Sequence, residues 1–283
     1  MRWIISQGAV ERAAGAPTGR PSLASAAREA GHEVHVVPFQ EDCPPGLELE
    51  PIAADLPVMT YGGHRFVDAV MGARPDLWPG AWHRTENLAC SVWARQFPDL
   101  IVNQGLEILT WAEARDRDWR RPMFVRPDAV TKAFAGGVMA LDKLDTAFAG
   151  YAAGPRFDPQ LPVVVAEARP ILGEFRFFIV AGEVVTGSCY RWAGRMDVRI
   201  DTHPACAELA AHVAGHPWQA DTGYVCDVAL MDDGQPRIME LNSFSSAGLY
   251  ACDTRALVRA VACAVALEPP IIATEEAPGP EPE

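Results

Sequence analysis

Between Tyr224 and Asn242 apolar and polar positions alternate on either side of Asp233-Gly234, which predicts two strands joined by a tight turn. A turn centred between those two residues sets Asp227 directly opposite Glu240. Asn242, two positions beyond Glu240, returns to the same face, while Val228, Leu230, Ile238 and Leu241 are apolar. A second hairpin is predicted for Glu174–Val180 and Glu183–Arg191 about Ala181-Gly182. The same pairing places Glu174 opposite Cys189, Arg176 opposite Gly187 and Leu172 opposite Arg191. Glu174, Arg176 and Arg191 then share one face, and Phe175, Phe177, Ile179 and Val184 share the other.

The first hundred residues read differently. Apolar runs at Arg2–Ser6, Glu33–Pro38 and Pro57–Tyr61 predict strands, the last ending at Gly62-Gly63 with a helix after it. A Gly/Pro-rich loop over Gly15–Pro21 precedes a helix over Ser22–Ala30, closed by Gly31. A further helix around Glu86–Gln96 leads to a strand at Leu100–Asn103, and Thr110–Trp119 predicts a surface helix. Strands alternating with helices imply an α/β, largely parallel unit over residues 1–119. From residue 120 to 268, strands at Met123–Pro127 and Val163–Glu167, the two hairpins and helices at Pro204–Ala214 and Thr254–Ala266 predict an α+β domain with antiparallel sheets. The acidic, proline-rich segment 269–283 is expected to be disordered.

A chain of 283 residues with 49% hydrophobic and 22% charged residues is long enough for a sizeable core. A net charge of −13 argues against nucleic acid and against an anionic membrane surface as partners, without excluding a local basic pocket. Seven cysteines without a CxxC spacing fit reduced thiols in a cytoplasmic protein. Neither an export signal nor a membrane span is expected from the apolar runs. Self-association into a homo-oligomer is left open. The seven histidines show no metal-ligand spacing.

Two facing carboxylates destabilise one another unless a cation or a proton intervenes. Asp227, Glu240 and Asn242 offer hard oxygen donors, two of them anionic, a set suited to Mg²⁺. A surface hairpin with scattered polar residues is the plain alternative. Arg176 and Arg191 present donor forks suited to phosphate or carboxylate; an exposed Glu–Arg pair is the competing reading. Arg126 ends a strand before Pro127, and Lys132 lies in a loop running to Gly136-Gly137, a plausible clamp for polyphosphate.

Taken together, residues 120–265 resemble the ATP-grasp superfamily. Asp227 and Glu240-Leu241-Asn242 match its Mg²⁺ ligands in type, order and spacing. Arg126-Pro127 stands where most members carry Lys-Pro, as in the branch in which arginine replaces that lysine, with Lys132 as second phosphate ligand. Val163–Glu167 resembles the hinge that meets adenine, and Glu174 the acid that binds the ribose hydroxyls. Pro170 lacks an N–H, so the resemblance moves the backbone donor to Ala168 or Arg169, after Glu167. Where many relatives carry arginine two residues before the first metal acid, this chain has Val225, which leaves Arg176 and Arg191 as candidate catalytic cations.

The resemblance implies ATP and two Mg²⁺ ions as cofactors and a carboxylate–amine ligase of amino acids or peptides, releasing ADP through an acylphosphate. A phosphotransferase or a non-catalytic Mg-ATP-binding module are the rival readings. Ser243, Ser245, Tyr250, Asp253 and Arg255 border the expected acceptor pocket, and Asp253 could equally cap the last helix. Arg84 and Asn87 are further candidate contacts.

Overall fold

The computed structural model describes residues 1–14, 19–39, 49, 52–130, 133–140, 144–154 and 157–267. The N-terminal unit runs β1 (Arg2–Ser6), α1 (Gln7–Ala14), α2 (Leu23–Glu29), β2 (Glu33–Val37), β3 (Val58–Tyr61), α3 (His64–Ala73) and β4 (Pro79–Gly80). Its sheet has the order β2-β1-β3-β4, with every pair parallel. Trp3, Ile4, Ile5, Val58 and Met59 are fully buried, as expected of strands covered on both faces. Ser22 caps α2 by accepting the Ser25 amide at 3.0 Å.

The expected elements of this part of the chain are present, and besides the unforeseen β4 it differs from expectation in three ways. α1 follows β1 without a loop. The helix expected over 86–96 is confined to α4 (Cys90–Trp93). The strand expected at 100–103 reduces to Ile101, which bridges Ile238, with the Val102 amide on the Ile238 carbonyl at 2.9 Å.

Two antiparallel sheets follow. β5 (Glu107–Thr110), β6 (Met123–Pro127), β7 (Gly137–Met139) and β8 (Pro162–Glu167) form the order β5-β8-β6-β7, flanked by α5 (Trp111–Asp116) and α6 (Leu144–Ala152). Thr110 and Glu113 close a reciprocal capping box at the start of α5. β9 (Ile171–Val180), β10 (Glu183–Trp192), β11 (Arg195–Arg199), β12 (Gly223–Met231) and β13 (Pro236–Ser243) form the order β11-β10-β9-β12-β13. α7 (Pro204–Ala214), a 3₁₀ turn (Phe244–Ser246) and α8 (Thr254–Leu267) complete the chain. The segment 268–283, where disorder is expected, lies outside the described residues.

The five-stranded sheet divides its faces between two cores. Phe175, Phe177, Ile179, Val228, Leu230 and Ile238 pack with α7 and with Leu88 and Trp93. On the opposite face Phe178, Val180 and Val225 pack with α8 and with Trp3 and Trp82 of the N-terminal unit. Trp82 lies so close over β12 that a Cβ on Gly223 would stand 2.1 Å from its ring, so this position requires glycine.

The registers differ from the simple pairing in an informative way. The β12–β13 hairpin closes through Asp232, Asp233 and Gly234, with the Gly234 amide on the Met231 carbonyl at 3.0 Å and Gly234 at φ 80°. That loop is one residue longer than the expected two-residue turn. A bulge between Val228 and Asp227 leaves Met239 unpaired and restores the pairing Asp227↔Glu240. In the second hairpin two bulges in β10 accumulate, so Glu174 faces Arg191 and Arg176 faces Ser188. The expected partners Cys189 and Gly187 instead face Phe175 and Phe177.

Candidate active site

Pairing of β9 with β12 sets Arg176 directly beside Asp227, and β12 with β13 sets Asp227 beside Glu240. Three strands thus carry a row of guanidinium, carboxylate and carboxylate on one face. The opposite sheet completes it: Arg126, the penultimate residue of β6, donates from Nη2 to Glu240 Oε1 at 2.8 Å. Arg176 grips Asp227 with two bonds, Nε to Oδ1 at 2.8 Å and Nη2 to Oδ2 at 2.7 Å. The charge order is plus, minus, minus, plus, so the repulsion foreseen between the acids is answered by two guanidiniums.

The row is dry. Asp227 is 1% exposed and Arg176 is 8% exposed. Burial alone would depress the Arg176 guanidinium, but the Asp227 carboxylate overrides this and holds it above its ordinary range. Arg176 also donates from Nη1 to the Gly248 carbonyl at 2.9 Å and lies over the rings of Tyr190 and Tyr250, 5.6 and 4.9 Å from their centroids. The two rings stack at 4.7 Å. Tyr250 adopts φ 49°, a left-handed backbone that costs a non-glycine residue about 1 kcal/mol or more.

Asn242 donates from Nδ2 to Asp227 Oδ2 at 3.2 Å, which leaves its amide oxygen, an acceptor, for another partner. Among the described residues no group of three or more His, Cys, Asp or Glu forms a metal site. Two carboxylates and an amide nonetheless fit Mg²⁺, which takes few protein ligands and fills its shell with phosphate and water. Carboxylate oxygens carry two lone pairs each, so accepting from arginine and ligating a cation are compatible.

Gly136 is required beside Arg126: a Cβ there would stand 2.6 Å from Arg126 Cβ. Asp128 anchors the same strand end, accepting the Ser91 amide at 2.7 Å and the Ser91 hydroxyl at 2.6 Å. Sequence reasoning missed Asp128, although its position after Arg126-Pro127 marked it. Lys132 lies outside the described residues.

Glu174 is raised by burial, with the Arg191 Nε 3.3 Å away holding against that shift. Glu167, at the end of β8, pairs with Arg121 at 2.9 Å and stands 3.9 Å from Arg169, all substantially exposed. Ala168 and Arg169 form the link between β8 and β9, before Pro170.

Several expected pocket residues have other positions. Ser243 and Ser245 are buried in the seam with the N-terminal unit: Ser243 Oγ donates to the Trp82 carbonyl at 2.9 Å, and the Trp82 amide donates to Ser245 Oγ at 3.1 Å. Their hydroxyls are committed there rather than to a pocket, because the chain turns into the seam directly after Asn242. Asp253 caps α8 through the Arg255 and Ala256 amides, each at 3.0 Å. Arg255 pairs on the surface with Glu29 at 2.7 Å. The Arg84 amide donates to Asp221 at 3.0 Å and Asn87 donates to the Ala220 carbonyl at 2.9 Å, which fastens the segment before α4 to that before β12. Tyr250 alone of this group meets both Arg176 and a cavity.

No curated protein matches the chain in sequence. Solved structures match its fold. D-cycloserine synthetase DcsG superposes with a TM-score of 0.58 at 13% identity, covering 94% of this chain and 100% of that one. The ATP-grasp ligase PsnB complexed with minimal precursor gives 0.55 at 14%, covering 93% and 98%. D-alanine–D-alanine ligase from Bacillus anthracis complexed with ATP gives 0.53 at 15%, covering 94% and 98%. At such identities the likeness is one of fold. The model of the ATP-grasp domain, R2K clade family 2, matches residues 102–260, which include every member of the charged row. With more than half of its length so matched, the chain belongs to that ATP-grasp family.

Proposed function

We propose that this protein is an ADP-forming carboxylate–amine ligase, with residues 1–119 serving as a pre-ATP-grasp domain and 120–268 as the ATP-grasp domain. The observation that carries the reading is the row Arg176–Asp227–Glu240–Arg126, closed by Asn242 and spanning both antiparallel sheets. Phosphoryl transfer needs positioning and charge neutralisation more than a side-chain nucleophile, and this row supplies both signs of charge in a dry site.

In this reading Asp227, Glu240 and Asn242 hold two Mg²⁺ ions. Bound there, the metal neutralises phosphate charge and aligns the γ-phosphate. Arg126 takes the place of the family's strand-end lysine and, on release from Glu240, binds phosphate oxygens, with Lys132 as its partner. Glu167, Ala168, Arg169 and Glu174 meet the nucleoside. A substrate carboxylate oxygen attacks the γ-phosphorus, forming the acylphosphate O–P bond while the bond to ADP breaks. The amine nitrogen then attacks the acyl carbon, the C–O bond to phosphate breaks, and the departing phosphate carries away the amine proton. Arg176 and Arg191 stabilise the charge that builds on phosphorus and then on the tetrahedral carbon. Structures with this fold include an ATP-grasp ligase complexed with a precursor peptide and a D-alanine–D-alanine ligase, which supports amino acids or peptides as substrates.

The test is an ADP-release screen over paired amino acids. Particular pairs should stimulate release, and Glu240→Gln should reduce it about 100-fold or more, the scale on which loss of one preorganised electrostatic group acts. Release indifferent to every carboxylate, or undiminished in Glu240→Gln, overturns the proposal.

A further inference from the structure

The N-terminal unit touches β13 immediately beside a residue of the charged row. Ser243 ends that strand directly after Asn242, and strand alternation sends the two side chains to opposite faces. Asn242 reaches Asp227, Nδ2 to Oδ2 at 3.2 Å. Ser243 reaches the other way, its hydroxyl donating to the Trp82 carbonyl at 2.9 Å. A side chain of the N-terminal unit joins it there: His83, whose Nδ1 lies 2.6 Å from Ser243 Oγ.

Hydrogen counting fixes the sense of that contact. The Ser243 hydroxyl has one hydrogen, and with it committed to Trp82 the oxygen accepts from His83. Burial lowers the His83 ring below its ordinary value of 6.5, against the Asp68 and Glu86 carboxylates, so the ring is neutral at neutral pH and its one proton sits on Nδ1. Nε2 is left buried without a hydrogen bond among the described residues, 3.4 Å from Asp68 Oδ1. A lone pair facing a carboxylate stabilises nothing. The surrounding seam is apolar, with the Trp82 and Phe244 rings 5.2 Å apart, and an apolar residue at 83 would avoid the cost of that nitrogen. The position keeps histidine for its Nδ1 bond, not for the stability of the seam.

We propose that His83 is a positioning residue for the metal ligand Asn242: by donating to Ser243 it fixes the end of β13, and with it the aim of the Asn242 amide at a cation shared with Asp227 and Glu240. The inference rests on the Mg²⁺ reading above and adds to it a contribution from outside the matched residues 102–260. The path is short: His83 to Ser243, across one planar peptide to Asn242, and on to Asp227. Ser245 is fastened too, its hydroxyl by the Trp82 amide at 3.1 Å and its carbonyl by the Gly62 amide at 2.8 Å, but it lies three residues beyond Asn242. Groups that orient metal ligands act on affinity on the scale of about 10- to 100-fold.

Titration of Mn²⁺, a paramagnetic stand-in for Mg²⁺, into the full chain with ADP present tests it, read by electron paramagnetic resonance. Urea unfolding of the same proteins without metal separates affinity from stability. His83→Gln carries its amide out to the Nε2 position and loses Ser243, so Mn²⁺ affinity should fall about 10-fold. His83→Asn sets an amide N–H where Nδ1 stands and should rescue the affinity, although the rest of the ring is gone. Ser243→Ala should weaken binding at least as much as His83→Gln, and in that background His83→Gln should add no further loss. A bond that served only the seam would lower the urea midpoint of His83→Gln and leave Mn²⁺ affinity unchanged, which overturns the inference. Equal losses in His83→Asn and His83→Gln, or losses that add in the double variant, overturn it as well. Should His83→Gln not fold, Ser243→Ala decides alone, and unchanged affinity overturns the inference. Asn242→Ala is the reference: if it weakens Mn²⁺ binding and His83→Gln does not, the positioning role alone falls. If Asn242→Ala leaves Mn²⁺ binding unchanged, the metal-site reading falls and the positioning role with it.

Discussion

Replacing Arg176 by Met separates the two roles of the charged row. Asp227 is 1% exposed, and its two strongest partners are the Nε and Nη2 groups of Arg176, at 2.8 and 2.7 Å. Arg176→Met leaves that carboxylate buried beside Glu240 without its bidentate partner, while Arg126 stays bonded to Glu240. Removing one member of a buried pair costs about 3–5 kcal/mol. The double variant Arg176→Met/Asp227→Leu abandons both charges, and what remains is the loss of partners for the Gly248 carbonyl and the Asn242 amide, about 1–3 kcal/mol. Urea unfolding should therefore rank the single variant below the double one. Mg²⁺ supplies the missing positive charge, so at a hundredfold excess over its dissociation constant it should restore about 2.7 kcal/mol to Arg176→Met. It should restore nothing to the double variant. A single variant no less stable than the double, or one blind to Mg²⁺, refutes the reasoning that these acids form a cation site balanced by arginine.

Two other perturbations probe the frame around the row. Gly136→Ala forces a Cβ to 2.6 Å from Arg126 Cβ, and should cost about 1–3 kcal/mol while displacing Arg126 and weakening Mg-ATP binding in a fluorescence titration. Asp253→Ala should cost about 1 kcal/mol at neutral pH through loss of the α8 cap. The Ala256 amide holds the Asp253 carboxyl below its ordinary 3.8, so the contribution is present above 3.8 and is lost as the pH falls through the lowered folded value. Urea midpoints of the two proteins should accordingly converge in strong acid.

The change from parallel to antiparallel sheets and the acid pair were legible because both rest on local periodicity: apolar runs separated by helical segments, and alternation about Asp233-Gly234. The pairing of Asp227 with Glu240 was foreseen through two errors that offset one another. The turn is a residue longer than expected, and the bulge at Met239 takes that residue up. In the other hairpin nothing offsets the β10 bulges, and Glu174 moved to face Arg191. Gly187 was a readable warning, since a Cβ there would stand 2.6 Å from the Phe177 ring. The neighbour relation of Arg176 and Asp227 was not legible, because it depends on which hairpin lies beside which, and no local pattern encodes that. The hydroxyls of Ser243 and Ser245 read as pocket groups because only tertiary packing shows that Trp82 claims them. α1 was missed because Gly8 and the Gly/Pro-rich run after it obscure a helix whose cap, Ser6 accepting the Ala9 amide at 3.3 Å, reads in sequence as the end of a strand.

Strand β13 carries two kinds of instruction in adjacent residues. Glu240 and Asn242 face the charged row, while Ser243 and, just beyond, Ser245 are fastened to Trp82. The stretch recognised as ATP-grasp is therefore not a portable fragment. Excised from the first hundred residues, it would expose Phe178, Val225 and Phe244 and lose the mooring that sets the direction of its last strand. Any minimal version of this enzyme must begin at β1, and damage to the far side of Trp82 should be felt as poor grip on the metal.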